Sequence, residues 1–246
     1  MSMNRRKYYL ILDTETGIDS SIIDMGGALY TRQSKKEGDP KKLKLVNSFA
    51  VLLTENWGRV ELFNDRSDSF FSKRNLKRRN DNYKAMLESG ARSIANVGAV
   101  NRWLAQCVAT YGADNIELTA YNLAFDRDKC LKQGIDLSIF SNSFCLWQAA
   151  LGNIANTKAY KHFCLDNHYF TNRTHKTGHS GMLTNAEVMS YFVTGINAKE
   201  PHCSLEDVLY HEAPILERVL RCNKWRDKIK PYTWKHYALR NFYKVK

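Results

Sequence analysis

Two acidic residues, Asp13 and Glu15, end the first apolar run of the chain, within YLILDTETG at positions 9–17. Because successive side chains of a strand alternate between faces, these two carboxylates leave the same face of the predicted strand. Two like charges aimed the same way repel unless a cation lies between them, and hard divalent ions such as Mg²⁺ and Mn²⁺ take oxygen ligands. The pattern therefore predicts a metal site, although a strand end that reaches water fits the same two residues.

A second acid lies in AYNLAFDRDKC, where Asp126 opens a predicted helix directly after a predicted strand, with Asn122 and Phe125 beside it. An acid at this position also complements the helix dipole, so by itself it indicates no chemistry. Asp128 is a competitor, but it lies further into the helix between two basic residues. Asp126 is therefore the stronger candidate of the two.

The third segment is PHCSLEDVLY, in which His202 precedes a predicted helix and Asp207 lies in its second turn. Ser204 is the predicted N-cap, and Asp207 at the third helical position would complete a capping box. In the alternative interpretation, Asp207 is a metal ligand and His202 is a base. His211, with Glu217 further along, is a rival base whose spacing fits less well.

Together the three segments resemble the motifs of the DEDD superfamily of 3′–5′ exonucleases, in its His-containing (DEDDh) branch, which includes proofreading and RNase T-like enzymes. The motifs are D-x-E in LDTETG, N-x-x-F-D in YNLAFD and H-x4-D in HCSLED. Tyr121 stands where such families often have His, and Asp24 stands where their second strand often has Glu. The resemblance implies an α/β fold with a ribonuclease H-like mixed β-sheet flanked by helices.

The resemblance further implies hydrolysis of phosphodiester bonds at single-stranded nucleic-acid ends, with two divalent ions, Mg²⁺ or Mn²⁺, about 4 Å apart. Asp13 would bridge both ions, Glu15 and Asp207 would support the ion that activates water, and Asp126 would support the other. His202 would take the proton from the attacking water, a role that an ordinary pKa near ~6.5 suits at neutral pH.

The same resemblance implies contacts with the terminal nucleotide. The backbone around Thr14 and Thr16, the side chain of Asn122 and the ring of Phe125 would line it. The expected substrate is DNA rather than RNA. An RNase T-like exoribonuclease, a non-catalytic nucleic-acid-binding protein and a proofreading subunit associated with a polymerase stay open as alternatives.

The charge of the chain agrees with a polyanionic partner. It has 37 Lys and Arg residues against 25 Asp and Glu, which gives a net charge of +12, although a solvated basic face would give the same balance. The basic residues of one predicted helix are Lys73, Arg74, Lys77, Arg78, Arg79 and Lys84. Residues 223–246 interleave basic and aromatic residues, so this segment either binds single strands by charge and stacking or docks on the domain.

The remaining patterns predict one exonuclease domain over residues 1–222. Strands are expected at 8–13, 21–32, 43–53 and 115–122, and helices at 70–89, 95–110, 124–134, 184–195 and 204–222, with 141–155 and 157–164 helical or mixed. Pro214 should kink or restart the last helix. No apolar stretch is long enough to span a membrane, and six cysteines without a CxxC pair indicate reduced thiols and a cytoplasmic location.

Two further possibilities stay open at the level of sequence. His162, Cys164 and His168, with His175 and His179 downstream, could bind zinc, but their spacing matches no standard pattern of ligands. A homodimer is also compatible with the sequence.

Overall fold

The computed structural model describes residues 7–63, 70–171 and 181–231, which form a six-stranded sheet flanked by helices. The strands are β1 Tyr8–Thr16, β2 Ile22–Arg32, β3 Leu43–Leu53, β4 Ser93–Ala95, β5 Ile116–Ala120 and β6 Asn142–Cys145. They lie in the order β4-β3-β2-β1-β5-β6. Strands β1, β2 and β3 are antiparallel neighbours, whereas β5 runs parallel to β1, β6 parallel to β5 and β4 parallel to β3.

This topology confirms the predicted α/β class and the mixed sheet that begins with an antiparallel meander, and it is consistent with a ribonuclease H-like fold. The sequence did not predict the short strands β4 and β6. Strand β6 falls in a stretch that was expected to be helical or mixed. Both strands are at the edges of the described sheet and hydrogen-bond to one neighbour each, so their formation depends on that neighbour more than on their own residues.

Strand β1 has apolar residues on both faces and two strand neighbours. Tyr9 and Ile11 belong to the hydrophobic core on one side of the sheet, and Leu10 and Leu12 belong to the core on the other side. None of the four is more than 4 % exposed. A strand buried on both faces is held firmly, so the residues at its end have well-defined positions.

The helices follow the predicted order closely. They are α1 Phe70–Glu88, α2 Val97–Tyr111, α3 Leu123–Gln133, α4 Leu146–Ala150, α5 Lys158–Asp166, α6 Ala186–Thr194, α7 Ser204–Asp207 and α8 Ala213–Leu220. Further helical turns are Ala113–Asn115, Leu151–Ala155, Val208–Glu212 and Trp225–Lys228. Gly134 and Gly195 end α3 and α6 with φ of 77° and 74°, a left-handed conformation that glycine adopts without a steric penalty.

The segment 204–220 is helical throughout but not regular, since a π-helical turn, Val208–Glu212, joins α7 to α8. Pro214 lies in the first turn of α8 and has no N–H to donate to the carbonyl of Tyr210. That carbonyl accepts a hydrogen bond from Ser190 Oγ at 3.2 Å instead. The predicted interruption at Pro214 is confirmed, and it takes the form of a widened turn.

Residues 223–231 pack on the rest of the domain. Trp225 is buried, and its ring centroid lies 4.9 Å from that of Phe144. Arg226 forms an ion pair with Glu117 of β5. The described part of the segment therefore docks on the domain, while residues 232–246, with most of its aromatic side chains, lie outside the described residues.

Two further findings concern membranes and cysteines. Within the described ranges, every helix is too short or too polar to span a bilayer. All six cysteines are described, and none of them forms a disulfide bond.

Candidate active site

Strand β1 delivers the first two acids to a cavity at the end of the strand. Asp13 pairs in register with Gly26 of β2, and Glu15 pairs with Asp24. Both side chains line one cavity of about 430 Å³, as expected for two residues of the same strand parity. The end of a buried strand therefore carries two carboxylates into a shared space.

Asp126 reaches the same cavity from the first turn of α3. It is held there by Thr14, whose Oγ1 donates a hydrogen bond of 2.8 Å to Asp126 Oδ1 across 112 positions of sequence. Both side chains are buried. Thr14 thus positions the Asp126 carboxylate, and a contact of the backbone around Thr14 and Thr16 with a nucleotide stays a prediction.

Asp207 closes the cavity from α7. The predicted N-cap, Ser204, is wrong by one residue: Cys203 is the N-cap, and its N–H donates to Asp207 Oδ2 at 2.9 Å. The reason is that the Ser204 N–H donates to Asp24 Oδ2 at 2.8 Å. Asp207 Oδ1 is buried and has no hydrogen-bond partner among the described residues. One carboxylate oxygen therefore fixes the helix start, and the other is left free for a ligand.

His202 adopts a backbone conformation that is unusual for a residue other than glycine. Its φ is 55°, in the left-handed region, which costs about 1 kcal/mol or more for a side chain with a Cβ. Arg79 Nη2 donates to its carbonyl at 3.2 Å, and the Tyr83 hydroxyl is shared between this carbonyl and Asp24 Oδ2, each at 3.1 Å. Its side chain is 59 % exposed, and Nδ1 lies 3.7 Å from Glu15 Oε1. The chain therefore holds the imidazole at the edge of the acidic cavity.

Glu15, His202 and Asp207 are suited to hold a metal ion. Each offers one ligand atom, and the three atoms lie within 4.8 Å of one another. Carboxylate oxygens with one imidazole nitrogen suit several divalent ions, Mg²⁺ and Mn²⁺ being favoured by the oxygen-rich surroundings. The unpartnered Asp207 Oδ1 gives this group a free donor atom. The residues present therefore fit a divalent cation.

The acids destabilise one another's charges. Burial, followed by the charges of Glu15 and Glu200, raises the pKa of Asp207 to about 9. Burial also raises the pKa of Asp126 to about 7, against the hydrogen bond from Thr14, which lowers it. The pKa of Asp13 is raised by burial and then by its acidic neighbours. Buried acids with raised pKa values need a cation to stay ionised at neutral pH.

Arg79 of α1 is a basic residue next to the site, although it does not line the cavity itself. Its Nη2 lies 2.8 Å from Glu15 Oε2. Burial nevertheless raises the pKa of Glu15 to about 7, since the lowering effect of Arg79 is smaller than the effect of burial. The sequence placed Arg79 in a basic helix, but nothing in the sequence indicated this contact with Glu15.

A second group of charges supports α7 from behind. Asp24 of β2 accepts hydrogen bonds from Tyr83, Arg92 and the Ser204 N–H, and Arg92 also pairs with Glu206. Gly26 lets α7 approach closely, because a Cβ at that position would lie 2.4 Å from Leu205 N. Asp24, noted as a departure from the family pattern, therefore positions the helix that carries Asp207.

Several residues that line the cavity were not assigned to a site by sequence. They are Tyr121, Trp147, Thr184, Asn185, Ala186, Glu200 and Glu212. Asn122 and Phe125, which the resemblance implicated, also line it. Glu212 is the most informative addition because it is a buried acid only 3 % exposed. Its sequence signal is weak: an acid two positions before a proline in a predicted helix.

The rival candidates lie elsewhere. Asp128 pairs with Lys132 at 2.8 Å and does not line the cavity. His211 is buried outside the lining, and Glu217 accepts a hydrogen bond from the Leu43 N–H at 2.9 Å. Asp128, His211 and Glu217 therefore all lie away from the cavity.

The zinc hypothesis gains no support from the described residues. Within them, Glu15, His202 and Asp207 form the one group of three metal-ligating residues that meets in space. His162, Cys164 and His168 do not form such a group, and Cys164 is buried in the core. His175 and His179 lie outside the described residues.

The basic helix borders a groove next to the cavity. Arg74, Lys77, Arg78 and Lys84 are exposed on α1, and the side chain of Lys73 is outside the described residues. The groove has a volume of about 480 Å³, and its lining includes Arg78, Arg79 and Lys199. Because Glu15 and His202 line both spaces, the groove and the cavity share an edge.

No protein-family model matches the chain, and no curated protein is similar to it. The assignment of a function therefore depends on the motifs and on the geometry of the site.

Proposed function

We propose that the chain is a metal-dependent 3′–5′ exonuclease that hydrolyses phosphodiester bonds at single-stranded ends, DNA in preference to RNA. The observation that carries the proposal is the meeting of Asp13, Glu15, Asp126, His202 and Asp207, from three distant segments, around one cavity. Among the described residues, the cavity lining includes no Lys or Arg. Such a set of acids favours hard divalent cations. The family resemblance of the motifs is what indicates a nucleic-acid substrate and cleavage from the 3′ end.

The side chains have separable roles in the proposed reaction. Asp13, Glu15, Asp126 and Asp207 would hold Mg²⁺ or Mn²⁺. When bound, two such ions would neutralise the scissile phosphate and activate water for attack. His202 would accept the proton of the attacking water. Burial and the charge of Arg79 lower the pKa of His202, so the imidazole is neutral near pH 7 and its ring nitrogen is free to accept.

The cavity suits one nucleotide. Its volume of about 430 Å³ is at the small end of the range for ligand sites, about 300–1,000 Å³. Phe125 is 43 % exposed at the cavity, and Trp147 lines it as well. An aromatic ring that stacks on a base contributes about 1–3 kcal/mol without reading its sequence. These features support a terminal nucleotide that enters alone, as an exonuclease requires.

The groove beside α1 supports a polyanionic substrate. Arg78, Arg79 and Lys199 line it together with Glu187 and Glu200, and Arg74 and Lys77 are exposed on the same helix as Arg78. Basic side chains along a groove neutralise backbone phosphates, which makes binding strongly dependent on salt. The strand behind the terminal nucleotide would follow this groove.

The direct test is a cleavage assay with a matched pair of variants on α3. Labelled single-stranded DNA and RNA, each carrying the label at its 3′ or its 5′ end, are incubated with Mg²⁺ and then with EDTA. We expect metal-dependent shortening of DNA from the 3′ end, a loss of at least about 100-fold in Asp126→Asn and no change in the exposed control Asp128→Asn. Cleavage retained in Asp126→Asn would contradict the proposal.

The same assay separates the alternatives. Shortening of RNA alone would indicate an RNase T-like exoribonuclease, and shortening of both polymers would remove the preference for DNA. Binding without cleavage would indicate a non-catalytic nucleic-acid-binding protein. Association with a polymerase and formation of a homodimer stay predictions.

A further inference from the structure

Glu212 is a buried acid that the motifs do not account for. It is the last residue of the π-helical turn Val208–Glu212 and lines the cavity together with Asp13 and Asp126. Its side chain is only 3 % exposed, and Oε2 has no hydrogen-bond partner among the described residues. A buried, unpartnered carboxylate oxygen in a cavity is costly unless it binds something there.

The π-helical turn is what brings Glu212 into the cavity. A regular α-helix rotates by about 100° per residue, so a residue five positions after Asp207 would point about 140° away from it. A turn with i→i+5 hydrogen bonds returns the fifth residue toward the same side. Pro214, which cannot donate to the Tyr210 carbonyl, and Ser190, which donates to it at 3.2 Å, favour this wider turn.

The electrostatic surroundings of Glu212 are entirely acidic on the cavity side. Among the charged neighbours of Asp13, Glu212 raises its pKa the most, after the larger effect of burial. Burial raises the pKa of Glu212 as well, followed by the charges of Asp126 and Asp207, while the backbone N–H of Tyr121 partly offsets this. Lys and Arg are absent from the described lining of the cavity. A cation is therefore the missing partner of this carboxylate.

We propose that Glu212 is a fifth carboxylate ligand of the metal site, on the side formed by Asp13 and Asp126; the inference rests on the proposed function. The family resemblance gives the second ion only Asp13 and Asp126, whereas it gives the first ion Glu15 and Asp207, whose ligand atoms lie within 4.8 Å of each other, in addition to Asp13. Glu212 would complete the second set of ligands. With three carboxylate ligands, the second ion should bind more tightly than it would with Asp13 and Asp126 alone.

The test measures Mn²⁺ binding, not activity. The metal-free full chain is titrated with Mn²⁺, and the free ion is followed by electron paramagnetic resonance in wild type, Glu212→Gln and Glu200→Gln. Glu200 lines the same cavity and loses the same charge, so it is a matched control. We expect two ions in wild type. In Glu212→Gln the second ion should bind at least about ten-fold more weakly, and in Glu200→Gln both should stay within about three-fold.

The outcomes distinguish this inference from the proposed function. Wild type that binds no Mn²⁺ would overturn both. Wild type that binds two ions, with Glu212→Gln unchanged or Glu200→Gln equally weakened, would overturn only the role of Glu212.

Thermal unfolding in EDTA controls for a damaged fold. Gln can still accept the Tyr121 N–H and replaces a buried acid that folding forces to take up a proton, so Glu212→Gln should melt at or above the wild-type temperature. A lower melting temperature, with weaker binding of both ions, would assign Glu212 a structural role and would also overturn the inference.

Discussion

Two neighbouring residues of α7, Glu206 and Asp207, lie in opposite electrostatic surroundings. Glu206 pairs with Arg92, which also binds Asp24, so the charges behind the helix are compensated by a buried guanidinium. Asp207 faces the cavity, where the described lining holds other acids and no basic residue. Its Oδ1 has no hydrogen-bond partner among the described residues.

The comparison shows that, within the described residues, basic partners for the acids of α7 are missing only on the side that faces the cavity. On the opposite side of the same helical turn, the buried Arg92 pairs with Glu206, the residue before Asp207. Uncompensated buried acids lower stability, and they are retained where function requires them. The paired cluster, Asp24, Arg92 and Glu206, holds α7 in place. The unpaired cluster, Asp13, Asp126, Asp207 and Glu212 of the cavity lining, is available to cations.

The largest effect should follow from breaking the paired cluster. Arg92→Met leaves the buried Asp24 and the partly buried Glu206 without a cation, so we expect a loss of about 3–5 kcal/mol in the free energy of unfolding. Chemical denaturation at neutral pH measures this loss. Asp128→Asn, an exposed site on α3, is the control and should stay within about 0.5 kcal/mol of wild type. A change of similar size in both variants would show that the paired cluster contributes no special stability.

The unpaired cluster should make the metal-free protein less stable as pH rises. A buried acid whose pKa is higher in the folded protein than in the unfolded chain binds its proton more tightly when folded. Its contribution to stability is complete below the unfolded pKa and is lost as the pH rises through the folded pKa. For Asp207 that folded pKa is about 9. Between about pH 7 and about pH 8.5, stability in EDTA should therefore fall by about 1.4 kcal/mol per pH unit from Asp207 alone.

Denaturation curves at several pH values, with EDTA or with Mg²⁺, measure this dependence. Bound cations should reverse it, because they favour the ionised carboxylates. Stability that rises with pH in EDTA would contradict the raised pKa values of the cavity acids.

A smaller effect of opposite sign is expected for Asp207→Asn. The Asn oxygen can still accept the Cys203 N–H. Because the pKa of Asp207 is raised to about 9, the acid must take up a proton on folding at neutral pH, and the neutral Asn removes that cost. We expect the metal-free variant to gain about 1 kcal/mol of stability and to lose the stabilisation by Mg²⁺. Melting temperatures with and without Mg²⁺ measure both effects, and a variant less stable than wild type in EDTA would show that the Asp207 charge is compensated.

A loss of stability of similarly small size is expected at Arg79, which contacts Glu15 of the cavity. Arg79→Gln removes the ion pair with Glu15 and one donor to the His202 carbonyl. Because Tyr83 still binds that carbonyl, we expect a loss of about 1 kcal/mol in stability and a weaker salt dependence of DNA binding. An unchanged salt slope would show that α1 does not contact the substrate.

The sequence indicated which residues could meet but not how they are held. Asp13, Glu15, Asp126, His202 and Asp207 were selected because their types, order and spacing match motifs. The positive φ of His202, the contact of Arg79 with Glu15 and the arrival of Glu212 in the cavity could not be predicted. They depend on packing between segments far apart in the chain, which local patterns do not encode.

The same limit explains the details that were missed in the fold. Long elements, such as β3 and α2, were predicted at or close to their observed bounds, whereas β1 extends three residues beyond its predicted end. Strands β4 and β6 have too few residues to show a period and form only on their neighbours. The N-cap moved from Ser204 to Cys203 because Asp24, on a different strand, binds the Ser204 N–H.

The central claim is that the acids of the cavity hold a pair of divalent cations. Anomalous diffraction from crystals grown with Mn²⁺, recorded at the manganese absorption edge, tests it most directly. We predict two anomalous peaks among the carboxylates of Asp13, Glu15, Asp126 and Asp207. Crystals in millimolar Mn²⁺ with these side chains ordered and no anomalous peak among them would contradict the account.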